Sequence, residues 1–232
     1  MGMKGNKMDI NSNSLEKRNS VKENYNLIAK QYAEDFGTYI EDLDVYDEFE
    51  KNLVKNAKIL DLGAGSGRTY SYFSSKGHEY IGLDFSEQMK ECEYKIHGQF
   101  PYIVDDMVNV TKYFNKDSVD AVFAVYSLFH LSDEDLKKLF SNVYKILKEN
   151  GIFIFSYQIG QGEEMADEPY LNEKGKNVLY MNYHTNDEIK KLLNLFSYKE
   201  VYKKEKIEVC DSAINSNEVT TVFVVVKKEG KK

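Results

Sequence analysis

Apolar and polar positions recur along this chain in two periods, and the switches between them set the order of its elements. Behind Ser20 and Glu23, spaced as a capping box, Tyr25, Ile28, Ala29 and Tyr32 follow at helical spacing, which predicts a first helix from about 21 to 33. Leu43, Tyr46, Phe49, Leu53 and Val54 predict a second amphipathic segment. Apolar runs of strand length then appear at 58–62, 80–84, 100–107, 120–125 and 151–157. Between them, Met89, Cys92 and Ile96 follow a Ser86 cap. Leu136, Leu139, Phe140, Val143, Ile146 and Leu147 form the clearest stripe, from a Ser132 cap to a stop at Asn150 and Gly151. Thr185 and Glu188 cap a last helix with Ile189, Leu192, Leu193 and Phe196 on one face, before two strands near 198–209 and 220–226. The order is thus a series of strand–helix units closed by an antiparallel pair. Strands that are apolar throughout belong to a parallel sheet buried on both faces.

Composition narrows the class. A chain of 232 residues makes one domain able to bury ~70% of its unfolded surface. Its two cysteines, Cys92 and Cys210, imply a reducing compartment and no disulfide framework. No apolar run approaches the ~20 residues of a membrane span, so a cytoplasmic protein without a membrane partner is expected. A net charge of -7 argues against a generic nucleic-acid binder, which needs a basic face. Residues 1–19 are polar and aperiodic and read as a disordered leader. The single domain, 20–232, divides into a helical cap (20–56), a ligand-binding core (57–158), a substrate-side insertion (159–185) and a C-terminal helix and hairpin (186–232).

The chemistry gathers at KILDLGAGSGRT, positions 58–69, where an apolar strand meets Asp61 and then Gly63, Gly65 and Gly67. A dinucleotide site spaces its glycines G-x-G-x-x-G, and here Arg68 stands where the third glycine belongs, that glycine coming one residue early at Gly67. Asp61 at the mouth of the turn would also repel a pyrophosphate. YIGLD at 80–84 ends a second strand on Asp84, 21 residues after Gly63, where a carboxylate can accept from both ribose hydroxyls. A ligand with cationic groups, a ribose and no phosphate fits this pair of acids, and S-adenosylmethionine is such a ligand. The stretch resembles the first motif of the class I S-adenosylmethionine-dependent methyltransferases of small-molecule type.

That resemblance implies an α/β fold, a three-layer Rossmann-like sheet of seven strands, mostly parallel with an antiparallel last strand, plus an N-terminal helical cap. It implies S-adenosylmethionine as cofactor and S-adenosylhomocysteine as product, held by Asp61, Gly63, Ala64, Gly65, Gly67 and Asp84. Phe85 and Met89 stand where an adenine is sandwiched, with core packing the competing reading for Met89. An acid ending the third strand accepts from the adenine amino group, which assigns Asp106 and Met107, with Asp105 as the alternative carboxylate. Tyr126, Ser127 and His130 follow the fourth strand at the reacting edge. His130 is the candidate general base, or else a local structural hydrogen-bonder. Tyr25 and Tyr32 share a helix face, read either as packing or as a lid on cofactor and substrate. In the insertion Glu163, Glu164, Tyr180, Tyr183 and His184 are substrate-side candidates by location, against a solvated loop with a short hairpin. No metal set is assigned.

The expected activity is in-line methyl transfer to a small-molecule nucleophile. Its alternatives are a nucleic-acid or protein methyltransferase, or a non-catalytic S-adenosylmethionine-binding protein. The sequence lacks the Asn/Asp-Pro-Pro-aromatic and Pro-Cys arrangements of the DNA-modifying branches, and it names neither an acceptor nor an oligomeric state.

Overall fold

The computed structural model describes residues 10, 12–172, 178–211 and 216–230, so positions 1–9 and 11 of the expected leader lie outside the described residues. Helix α1 (Ser14–Phe36) begins well before Ser20. Asn13 accepts from Glu16 N while the Glu16 carboxylate accepts from the Asn13 amide, a capping box two turns earlier than expected. Residues 14–19 are therefore helix, not leader. The buried face of α1 runs through Lys17, Val21 and Asn24 before Ile28, and its polar members hide it from apolar periodicity.

Helix α2 (Leu43–Glu50) completes the cap with Val45, Tyr46 and Phe49 buried. Five strands follow: β1 (Lys58–Leu62), β2 (Glu79–Asp84), β3 (Tyr102–Val104), β4 (Val119–Ala124) and β5 (Leu147–Gln158). Interleaved with them are α3 (Tyr70–Ser75), α4 (Glu87–His97) and α5 (Asp133–Ile146). The insertion holds β6 (Gly162–Asp167), the single turn α6 (Pro169–Asn172) and β7 (Val178–Tyr183). Helix α7 (Asn186–Leu195) and strands β8 (Tyr198–Asp211) and β9 (Ser216–Lys228) complete the order.

The main sheet runs β3-β2-β1-β4-β5-β9-β8, parallel from β3 to β5, with β9 antiparallel to both of its neighbours. This is the expected seven-stranded Rossmann-like sheet. Successive strand residues face opposite layers. Leu60, Val122, Phe153 and Val224 join one core with α5 and α7, while Ile59, Phe123, Ile154 and Val225 join the other with α2 and α3.

Local details depart from the pattern for physical reasons. α5 stops at Ile146 because Leu147 already pairs with Val119, and Asn150 takes φ +64° inside β5 instead of ending a helix. The buried face of α4 is Met89 and Glu93, and Ile96 is left 38% exposed. In the insertion, Leu179, Tyr180 and Met181 pack against Val21 of α1 and Phe129, so the β6–β7 hairpin is anchored rather than solvated. Among the described residues no helix is long and apolar enough to cross a membrane. Cys92 is a free thiol, and the Cys210 side chain lies outside the described residues.

Candidate functional site

The strand order reverses between β1 and β4, and the loops leaving their carboxyl ends part at that point, where open α/β sheets bind ligands. A cleft there has about 630 Å³ of empty space, part of it open to solvent, within the range of small-molecule sites. Gly63 and Gly65 supply bare backbone to one wall. Gly63 has φ +75°, and a Cβ on it would lie 2.5 Å from Ser127 Cβ, so only glycine lets the turn sit against the β4 exit.

Asp84 ends β2 in the same wall and is 7% exposed. Its Oδ2 accepts from Gly65 N at 3.1 Å and its Oδ1 from Ser86 N at 2.8 Å. Each carboxylate oxygen keeps a lone pair for a ligand hydroxyl. Burial raises this carboxyl to about 6, against the pull of the Ser86 and Gly65 amides.

Asp61 does not stand at the mouth of the turn. Its carboxylate is 3% exposed and accepts from the Thr69 and Tyr80 hydroxyls, the latter at 2.7 Å, behind the glycines. Burial raises it to about 6 as well. Asp61 buttresses the loop, and the acid that faces the cleft beside the glycines is Asp84. Ala64 and Gly67 likewise support the turn from behind: Ala64 N donates to Leu83 O at 3.1 Å, and a Cβ on Gly67 would strike Glu93 at 2.0 Å.

At one end of the cleft Phe85, Met89, Asp106 and Met107 line the wall. The two candidate aspartates separate. Asp105 turns away to accept from Asn109, Lys112 and Tyr113, and these bonds outweigh its burial and hold it at about 2. Asp106 faces the cleft, caps the following turn through Val108 N at 3.1 Å, and accepts from Arg18 Nε at 2.5 Å.

Helix α1 crosses the top. Tyr25, Tyr32 and Arg18 all line the cleft, so the shared face of the tyrosines is more than a packing stripe. The Tyr25 hydroxyl lies 2.8 Å from His130 Nε2, while His130 Nδ1 lies 2.9 Å from the Tyr180 carbonyl. A carbonyl only accepts, so Nδ1 carries the hydrogen and Nε2 accepts from Tyr25. Burial lowers this imidazole to about 4 and keeps it neutral. Tyr126 lines the opposite wall at φ +60°, rare for a bulky residue, with its amide donating to Ser156 Oγ at 2.7 Å. Its hydroxyl is shared between Asp42 and Glu208, at 2.7 and 2.8 Å.

The remaining insertion candidates lie elsewhere. Tyr183 donates to Glu164 at 2.5 Å, Glu163 pairs with Lys17 and accepts from Tyr180, and His184 faces a separate groove between α5 and α7. Arg18 is the charged lining residue that sequence patterning missed, because its partners Asp106 and Asp135 are 88 and 117 positions away.

A parallel sheet with a reversed strand, a glycine turn and a buried strand-end carboxylate at its switch point defines an α/β protein of nucleoside-binding type. Residues 60–155 match the family model of a methyltransferase domain. Over that stretch, and in its sheet topology, the chain is similar to S-adenosylmethionine-dependent methyltransferases. It is 28% identical over 158 residues to a phosphoethanolamine N-methyltransferase of Plasmodium falciparum, covering 66% of this chain and 58% of that protein. Phosphoethanolamine N-methyltransferase 3 of Arabidopsis thaliana is 24% identical over 143 residues, 58% of this chain and 29% of that protein. The chain thus spans less than two thirds of the length of either relative. Among solved structures, Burkholderia thailandensis 1,6-didemethyltoxoflavin-N1-methyltransferase, bound to 1,6-didemethyltoxoflavin and S-adenosylhomocysteine, superposes with a TM-score of 0.69 at 13% identity. That match covers 94% of this chain and 92% of that one. A Methanosarcina mazei S-adenosylmethionine-dependent methyltransferase gives 0.67 at 17% identity, covering 80% and 99%. These likenesses are of fold.

Proposed function

We propose that this chain binds S-adenosylmethionine in the cleft and transfers its methyl group to a small-molecule nucleophile, an amine in the reading favoured here. The observation that carries this is Asp84, a buried carboxylate at the strand end beside bare glycine backbone, with lone pairs free for two hydroxyls. Phe85 and Met89 would flank the adenine and Asp106 would accept from its amino group. The sulfonium would supply an already activated methyl group, so the protein's share is alignment and exclusion of water.

An amine held as its ammonium ion must lose a proton before its lone pair can form the new C–N bond as the C–S bond of the sulfonium breaks and S-adenosylhomocysteine leaves. Tyr25 can accept that proton while passing its own to His130 Nε2, which is neutral and already in hydrogen-bond contact. The tyrosine rings of Tyr25, Tyr32 and Tyr126 would also favour an ammonium ion before it loses that proton. The amine N-methyltransferases among the relatives support the same acceptor class. A cytoplasmic setting, with neither nucleic acid nor membrane as partner, completes the reading and is supported by the free Cys92 thiol and the net charge of -7.

The test is calorimetric titration of the protein with S-adenosylmethionine and S-adenosylhomocysteine beside an Asp84→Asn variant. Micromolar binding weakened in the variant supports the site, and no binding by folded wild type sinks it.

A further inference from the structure

The sequence contains 29 lysines and two arginines: Arg18 lines the cleft, and Arg68 lies against Tyr126 of its wall. They are in opposite electrostatic states. Arg18 is ion-paired with Asp106 and Asp135. Arg68, directly after the glycine turn, is half-buried with its Cζ 5.2 Å from the centroid of the Tyr126 ring. Among the described residues its side chain has no ion pair and no hydrogen bond. The groups that act on it electrostatically are Tyr46, Tyr32 and Tyr126, and lastly Asp61, whose carboxylate already serves Thr69 and Tyr80.

Tyr32 and Tyr126 line the cleft, so this guanidinium lies directly against residues of its wall. No lysine lines the cleft among the described residues, and its charged lining groups are Asp84, Asp106 and the already ion-paired Arg18. A partly desolvated guanidinium without a counter-charge is unfavourable, and its planar donor fork matches a carboxylate or phosphate with two parallel hydrogen bonds. We propose that Arg68 is the anion-recognition residue of this cleft, taking a carboxylate or phosphate of the ligand bound there. This rests on the functional reading above, and the anion has two sources: the methionine carboxylate of the cofactor, or an acidic group on the acceptor.

The test is calorimetry on wild type, Arg68→Met and Arg68→Lys with S-adenosylhomocysteine and with 5′-methylthioadenosine, which keeps the adenosine and thioether but has no carboxylate. The same proteins, saturated with S-adenosylhomocysteine, are then titrated with phosphoethanolamine and with ethanolamine. If the cofactor is the source, Arg68→Met weakens S-adenosylhomocysteine about tenfold or more, leaves methylthioadenosine unchanged, and Arg68→Lys recovers part of the loss. If the acceptor is the source, the same pattern falls on phosphoethanolamine against ethanolamine. Equal losses within each pair indicate a structural role and overturn the assignment, as does wild-type behaviour of Arg68→Met with all four ligands. Failure of wild type to bind either adenosyl compound overturns the functional reading, and this assignment with it.

Discussion

The hydroxyl of Tyr25 and the imidazole of His130, 105 positions apart in the chain, meet at 2.8 Å across the cleft. The contact joins α1 to the exit of β4, so the helix that covers the cleft also supplies one half of the proposed proton acceptor. The Tyr180 carbonyl fixes the other imidazole nitrogen and, with it, the tautomer. Three separate segments therefore build one hydrogen-bond chain, the proton path of the proposed reaction.

Removing either half should slow chemistry more than binding. Tyr25→Phe keeps the ring and deletes the relay, and His130→Asn deletes the acceptor; each should lower kcat by about 10²-fold or more. Affinity for S-adenosylhomocysteine should stay within about threefold. Because burial holds His130 at about 4, protonation should silence it only as pH falls below about 5. Single-turnover rates across pH 4 to 9 check both points, and a change of less than about threefold in both variants means the proton leaves to solvent.

The two acids flanking the glycine turn should behave differently despite their similar place in the sequence. Asp84→Asn weakens two hydrogen bonds to ligand hydroxyls and should reduce S-adenosylhomocysteine affinity about 10- to 100-fold. Asp61→Asn alters a carboxyl that faces Thr69 and Tyr80 behind the turn, so its main effect should be on stability. Paired calorimetry and denaturant unfolding separate the two, and equal affinity losses would falsify the distinction.

How far the chain can be read without its fold follows from how local each feature is. The glycine turn and Asp84 were legible because strand, turn and strand-end acid lie within 27 residues, from Lys58 to Asp84. Which way Asp61 turns was not, since hydroxyls from α3's approach and from β2 decide it. The start of α1 was hidden because Lys17 and Asn24 occupy its buried face. On α4 an apolar pattern selects Ile96, whereas packing beneath Gly67 selects Glu93, and that packing exists only once β1 and β2 are side by side. Which of Asp105 and Asp106 faces the cleft could not be read from spacing, because it depends on partners such as Arg18, 88 positions from Asp106.

Arg18 sits between Asp106 and Asp135 with its side chain 11% exposed. Arg18→Met should leave two poorly solvated carboxylates facing each other and cost roughly 2–3 kcal/mol in stability, below the range for fully buried pairs because Asp106 is 20% exposed. It should also loosen α1 over the cleft. Hydrogen exchange is the discriminating measurement: faster exchange confined to α1 is expected, and unchanged protection there refutes the tie.

Glu93 provides a test through pH. It is fully buried beneath the glycine turn, and burial, followed by the charges of Asp61 and Asp84, raises its carboxyl to about 10. In the folded protein it is therefore protonated at neutral pH, while in the unfolded chain it ionises near 4.5. The folded state binds the extra proton between these values, so stability falls as pH rises, by up to about 1.4 kcal/mol per pH unit. Asp61 and Asp84 add the same sign only up to about pH 6, and His130 the opposite sign only between about 4 and 6.5. Above pH 6.5 the slope should belong mainly to Glu93. Glu93→Gln keeps the shape without the ionisation, so it should match wild type near pH 5 and exceed its stability at pH 8. Urea unfolding at intervals from pH 6.5 to 9 gives the answer: a flattened slope in the variant is expected, and parallel slopes mean that Glu93 is ionised in its packed position.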